Sequence, residues 1–100
     1  MKDEFELEFN ELAAKWRKDT MHLSSARKSV QHPSYQRIIE MGEGAISYML
    51  KDFLKGDYVH WFWALAAITG ENPIPDEQAG NVKAMAEAWV EWGRERGYLQ

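Results

Sequence analysis

Apolar residues in this chain recur every three or four positions, in runs that stop at Gly42, Gly56, Gly70 and Gly97. That punctuation constrains the fold more than any other feature. A period of 3.6 places an apolar set on one face of a helix, and glycine supplies the left-handed residue at which helices end. The first run, Phe5, Phe9, Leu12 and Trp16, has spacings of four, three and four. It predicts a helix from about residue 4 to about residue 19, capped by Asp3. Residues 20–33 show no sustained period and read as a connecting segment with one helical turn at most. His32 precedes Pro33, which pushes residue 32 out of helical geometry and presets the first turn of a second helix, Pro33 to Met41.

A third helix is expected from about Gly44 to Lys55, with Ile46, Met49, Leu50, Phe53 and Leu54 on its apolar face. A fourth begins at Asp57, carries the stripe Trp61, Leu65, Ile68 and ends at Gly70. Asn72-Pro73 and Ile74-Pro75 force an extended turn, and residues 76–78 can add a short helical turn. Asn81 then caps the last helix, on which Val82, Met85, Ala86, Trp89 and Trp92 or Gly93 recur until Gly97. No strand-like alternation competes anywhere, so the expected fold is all-α: a compact bundle of about five helices without β-sheet, one domain over residues 1–100. Trp61, Leu65, Ile68 and Trp89 are its expected core.

Hydrophobic residues make up 45% and charged residues 28% of the chain, the balance of a folding domain and not of a disordered one. Five tryptophans supply large buried area for so short a chain. The absence of cysteine excludes disulfides, thiolate zinc sites and thiol nucleophiles. The charged start lacks the apolar stretch of a signal peptide, and no run approaches the ~20 apolar residues that span a bilayer. A cytoplasmic protein without a membrane partner is expected.

Residues 35–70, YQRIIEMGEGAISYMLKDFLKGDYVHWFWALAAITG, resemble one unit of a HEAT-like helical repeat: a short helix ending in Met-Gly, a helix of the form Ala-Ile-x-x-x-Leu, then an Ala-Leu-rich helix. The following NPIP and the terminal AWVEW are similar to the tails of small bacterial helical-repeat proteins. The resemblance implies helical-hairpin packing and a generic role in protein binding, and it implies no catalytic residues. A solenoid needs about three stacked units to bury a continuous core, and one is visible here, so the outer helices are expected to cap a single hairpin.

Catalytic and cofactor chemistry find little purchase. His22, His32 and His60 never stand at the i,i+3 or i,i+4 spacing that aims two imidazoles at one metal. Glu87, Glu91 and Glu95 form a stripe spaced by four that reads as a solvated helix face, whereas acid–base chemistry needs carboxylates in a dry cleft. Ser24 and Ser25 lie in no nucleophile turn, and the glycines form no phosphate-cradling loop. No catalytic residue, metal or cofactor is therefore assigned, and an enzyme is not expected.

Two features point to binding. The formal net charge is −4, yet residues 14–37 hold six cations, Lys15, Arg17, Lys18, Arg27, Lys28 and Arg37, against Asp19 alone. Clustered cations are what phosphate contacts require, although only Trp16 and Tyr35 offer rings for base stacking there. The second feature is the block Trp61-Phe62-Trp63. Successive helical residues point about 100° apart, so three adjacent rings cannot all enter one core. Either helices pack on two sides of this element, or one ring lies at the surface as an interface anchor. The expected function is a small protein-binding module, of the size and style of a bacterial or phage accessory protein, with a second copy of the chain as a rival partner. Nucleic-acid association through residues 15–37 is the alternative. The candidate partner-binding residues are Trp61, Trp63, Arg27, Lys28 and Arg37.

Overall fold

The computed structural model describes residues 4–21, 26–58 and 60–99. The expected Asp3 cap, His22, Ser24 and Ser25 lie outside them. The fold is all-α, and among the described residues there is no strand. The described residues form six α-helices in order: α1 (Glu4–Thr20), α2 (Ala26–Val30), α3 (Pro33–Glu40), α4 (Ile46–Leu54), α5 (Phe62–Thr69) and α6 (Val82–Glu95). Two 3₁₀ turns, Gly42–Ala45 and Asp76–Gln78, precede α4 and α6. The sixth helix, relative to the five expected, is the single turn α2 inside the connecting segment. Contacts divide the chain into two compact units, residues 1–45 and 46–100.

In the first unit α1 packs on α3. Phe9, Ala13, Trp16 and Thr20 form the buried stripe of α1, with the expected Phe5 and Leu12 flanking it half-buried. Against it lie Tyr35 and Ile38 of α3, both fully buried, with the Trp16 and Tyr35 ring centroids 4.9 Å apart. The Trp16 indole N–H donates to the Ser29 carbonyl at 2.7 Å, which ties α2 to α1. Gly44 has a packing reason for its identity: a Cβ there would lie 2.7 Å from Cζ of Phe5.

In the second unit α4 packs on α6. The core includes Ile46, Met49, Leu50 and Phe53 of α4, Leu65 of α5 and Trp89 of α6, together with Trp61. Gly93 sits inside α6, where glycine normally weakens a helix, because Leu50 of α4 occupies the space a Cβ would need. The glycine stops behave as the sequence predicts. At the end of α4 the N–H of Gly56 donates to Phe53 O at 3.0 Å and that of Asp57 to Asp52 O at 3.0 Å, the paired bonds of a Schellman closure. At the end of α6 the same pattern links Gly97 to Arg94 and Tyr98 to Gly93, and the Tyr98 ring stacks on Trp92 at 5.5 Å.

Leu54 and Val82, expected on the apolar faces of α4 and α6, are exposed, and three further expectations need correction. The fourth helix begins at Phe62 and not at Asp57, because the Schellman closure ties Asp57 back to α4, and the Asp57 carboxylate faces His60 at 3.3 Å. Second, of the two arrangements open to α5, the one with a ring at the surface is found, not packing on two sides: Ala64 and Leu65 are buried while Trp63, Ala66 and Ala67 are exposed. Third, Ile68 is half-buried and not part of the core, lying on the flank of an eight-residue helix whose buried side is filled by Ala64 and Leu65.

Candidate functional site

The start of α5 resolves the aromatic block into three different environments. Trp61 is the residue before the helix, with φ −111° and ψ 1°, and its ring is fully buried. Its indole N–H donates to Asp52 Oδ2 of α4 at 2.7 Å, which satisfies the one polar atom of the ring and fixes the direction from which the chain enters α5. Phe62, one step round, is half-buried with its ring centroid 5.1 Å from that of Phe53. Trp63, a further step round, is 61% exposed. Of the two tryptophans singled out by the sequence, Trp61 therefore belongs to the core, and Trp63 is the one a partner can reach.

Trp63 heads an apolar surface. Ala66 and Ala67, at i+3 and i+4, are exposed on the same face, and no residue from Phe62 to Thr69 is ionisable. Thr69, the helix's single hydroxyl, donates inward to Leu65 O at 2.7 Å and accepts from the Glu71 N–H at 3.1 Å. Beside the helix lies a groove of about 300 Å³ lined by Phe62, Trp63, Ala66, Glu71, Asn72, Ile74 and Trp89. Its one charged residue, Glu71, is engaged by Arg96, whose Nη1 and Nη2 each donate to a carboxylate oxygen at 2.8 Å. Those two bonds, and to a smaller extent the nearby Trp92 indole, hold the Glu71 carboxyl below its ordinary pKa; the same pairing raises that of Arg96. The Trp92 N–H is buried and, among the described residues, is the one such side-chain atom that lacks hydrogen-bond geometry to any acceptor. The Arg96 guanidinium also lies 5.1 Å from the centroid of the Trp92 ring.

Other grooves flank α6. One, of about 410 Å³, is lined by Pro73 and Pro75 and, from α6, by Trp92 and the exposed Glu87, Glu91 and Glu95. The second, of about 320 Å³, is floored by Phe53, Leu54, Tyr58 and Val90 and edged by Glu87, Glu91 and Arg94. The glutamate stripe is solvated, the opposite of the dry surroundings in which a carboxylate becomes a general acid or base.

The basic segment presents differently. Arg27 and Lys28 are exposed on α2. Arg37 is an exposed residue of α3, but its guanidinium lies 3.1 Å from Glu8 and 3.6 Å from Glu40. Lys15 reaches Asp19 at 3.3 Å. Both rings in the segment, Trp16 and Tyr35, are buried, which removes the stacking surface that single-stranded nucleic acid would use.

The Asp19–His32 pair has the look of a catalytic dyad and the wiring of a helix cap. His32 Nε2 lies 3.0 Å from Asp19 Oδ2, while Nδ1 accepts the Ser34 backbone N–H at 3.0 Å and so caps α3. With Nδ1 an acceptor, the ring proton sits on Nε2 and is donated to Asp19, and neither nitrogen is left to take a substrate proton. His32, followed by Lys15, lowers the Asp19 pKa. Among the described residues no group of three or more His, Asp or Glu is arranged to hold a metal ion, and no helix is long and apolar enough to cross a membrane.

The sequence singled out Trp63 but not the groove beside it, since that surface depends on residues 71–74 folding back toward α5 and α6. No protein-family model matches this chain, and no curated protein or solved structure does either.

Proposed function

We propose that this chain is a small non-enzymatic protein-binding module, a bacterial or phage accessory protein that regulates another protein by binding it. The observation that carries the reading is Trp63, an indole 61% exposed at the head of an uncharged helix face. Exposed tryptophan beside a concave apolar surface is the chemistry of interface hot spots, where a large ring is desolvated by a partner. The wiring of His32 and the solvation of the α6 carboxylates support a non-catalytic role.

The alternative, nucleic-acid association through residues 15–37, draws on the exposed Arg27 and Lys28. It is weakened by the ion pairs of Lys15 and Arg37 and by the burial of Trp16 and Tyr35. Affinity capture with the tagged full chain in its native cells separates the two readings. Proteins recovered by the wild type should be lost with Trp63→Ala and retained with the triple variant Arg27→Gln, Lys28→Gln, Arg37→Gln. Recovery that fails only in the triple variant, and that nuclease treatment abolishes, would make the alternative correct.

A further inference from the structure

The ring of His32 joins two helices of the first unit, and both of its nitrogens are committed. Pro33 opens α3 without an N–H of its own, so Ser34 carries the first free donor of the helix, and the Nδ1 lone pair of His32 receives it at 3.0 Å. On the other edge of the ring Nε2 gives its proton to Asp19 Oδ2 of α1, also at 3.0 Å. The two contacts coexist only for the neutral ring, because a protonated imidazole has two N–H groups and no lone pair. A proton from solvent can therefore enter only at Nδ1, by displacing the Ser34 N–H. We infer that His32 is an acid-released clasp: neutral, it ties the start of α3 to the end of α1; protonated, it stays with α1 and lets the first turn of α3 go.

The groups around the ring fix what the release costs. From α1 come the Asp19 carboxylate and, 3.3 Å from the same Oδ2, the Lys15 ammonium. The charge gained on the ring thus meets an oxygen already shared with a cation, at an exposed site where ion pairs contribute little. From α2 comes backbone, the Ser29 carbonyl that accepts the His32 N–H at 3.3 Å, and its charged side chains, Arg27 and Lys28, are exposed. From α3 there is no acid in the first turn to offset the positive end of the helix, which disfavours an imidazolium held there. Ser34 is 5% exposed, so its N–H, once displaced, lacks an acceptor in buried surroundings and the turn opens to reach water. The opening is local. Tyr35, the next residue, is fully buried with its ring 4.9 Å from that of Trp16, which holds the rest of α3 in place.

Nuclear magnetic resonance of the isotopically labelled full chain, followed from about pH 8 to about pH 5, tests this across the range in which histidine takes up a proton. At the upper end the His32 ring should carry its proton on Nε2 and show a coupling through the hydrogen bond between Nδ1 and the Ser34 nitrogen. As the ring titrates, that coupling should vanish, and the Ser34 amide, corrected for intrinsic exchange, should lose protection about fivefold, the effect of removing one cap. His32→Asn, which caps without titrating, should hold Ser34 constant over the whole range. Asp19→Asn keeps an acceptor for Nε2 and removes the charge that receives the imidazolium, so it should move the Ser34 step to lower pH. A proton on Nδ1 at pH 8, a Ser34 coupling that survives at pH 5, or a step that persists in His32→Asn, where His22 and His60 remain, would overturn the inference. Protection lost along the whole of α3, or a step that Asp19→Asn leaves in place, would overturn it as well, the first because the helix unfolds and the second because the protonated ring does not stay with α1.

Discussion

In residues 1–45 the Trp and Tyr rings are inside and charged side chains dominate the helix surfaces; in residues 46–100 the pattern breaks at α5. The first unit buries Trp16 against Tyr35, gives the indole N–H to Ser29, and matches Lys15 with Asp19 and Arg37 with Glu8 and Glu40. The second buries Trp61 in the same manner, with its N–H on Asp52, yet leaves Trp63 two residues later in solvent on a face without charge. Paired surface charges are near neutral in energy and need nothing further, whereas an exposed apolar face gains free energy from any fitting cover. The proposed contact surface therefore lies in the second unit, although the basic run makes the first the more conspicuous in sequence.

The largest effects should fall on the two buried indoles and spare the exposed one. Trp16→Ala and Trp61→Ala are each expected to destabilise by about 3–5 kcal/mol, as large-to-small changes in a packed core do, and Trp63→Ala by no more than about 0.5 kcal/mol. Urea unfolding of the three variants checks this. A Trp63→Ala loss equal to that of Trp61→Ala would erase the contrast on which the functional reading stands.

Gly93→Ala sharpens the description of the second unit. In an open helix the change would gain about 1 kcal/mol from propensity. Here the added methyl meets buried Leu50, and overpacking of this kind costs about 1–3 kcal/mol, so a net loss of about 1 kcal/mol in thermal or urea melts is expected. A stabilised variant would show that α4 and α6 pack less closely than described.

His32→Ala probes the first unit. It removes the acceptor of the Ser34 N–H, and loss of such a cap costs about 1 kcal/mol. His32→Asn, which retains a capping acceptor, should recover most of it. Equal losses for both would assign His32 a role other than capping.

The smallest expected effect is a pH dependence in the second unit. The Glu71 carboxyl titrates below its ordinary value when folded, so the unfolded chain takes up its proton first as the pH drops. The contribution of the Arg96 bridge is therefore complete above the ordinary carboxyl range and is lost as the pH falls through the folded value. Melting temperatures between about pH 6 and pH 3 should fall by a small step that Glu71→Gln removes. An unchanged profile in that variant would show that the bridge does not contribute to stability.

Much of this architecture can be read from residue order, because it is local. The stripe of α1, the Asn81 cap, which accepts the Ala84 N–H at 3.1 Å, and the stops at Gly56, Gly70 and Gly97 each depend on neighbours within one or two turns. What could not be read depends on contacts between distant positions. The late start of α5 follows from Asp52 drawing in Trp61 and from the closure over Gly56, and spacing alone cannot distinguish a cap residue from the first residue of a stripe. Periodicity likewise gave three adjacent rings with no means of saying which one faces solvent. The fate of the basic run was hidden for the same reason, since Glu8 and Arg37 are far apart in the chain and meet only when α1 and α3 pack.

The most direct test of where this chain makes its contacts is a site-resolved one. A photo-cross-linking residue placed at position 63 or at position 27 of the full chain, each in otherwise unchanged sequence, reports what touches α5 and what touches α2 in the native cell. The expected result is protein adducts from position 63 and few or none from position 27. Nucleic-acid adducts from position 27, with position 63 unreactive, would contradict it and place the function in the basic segment.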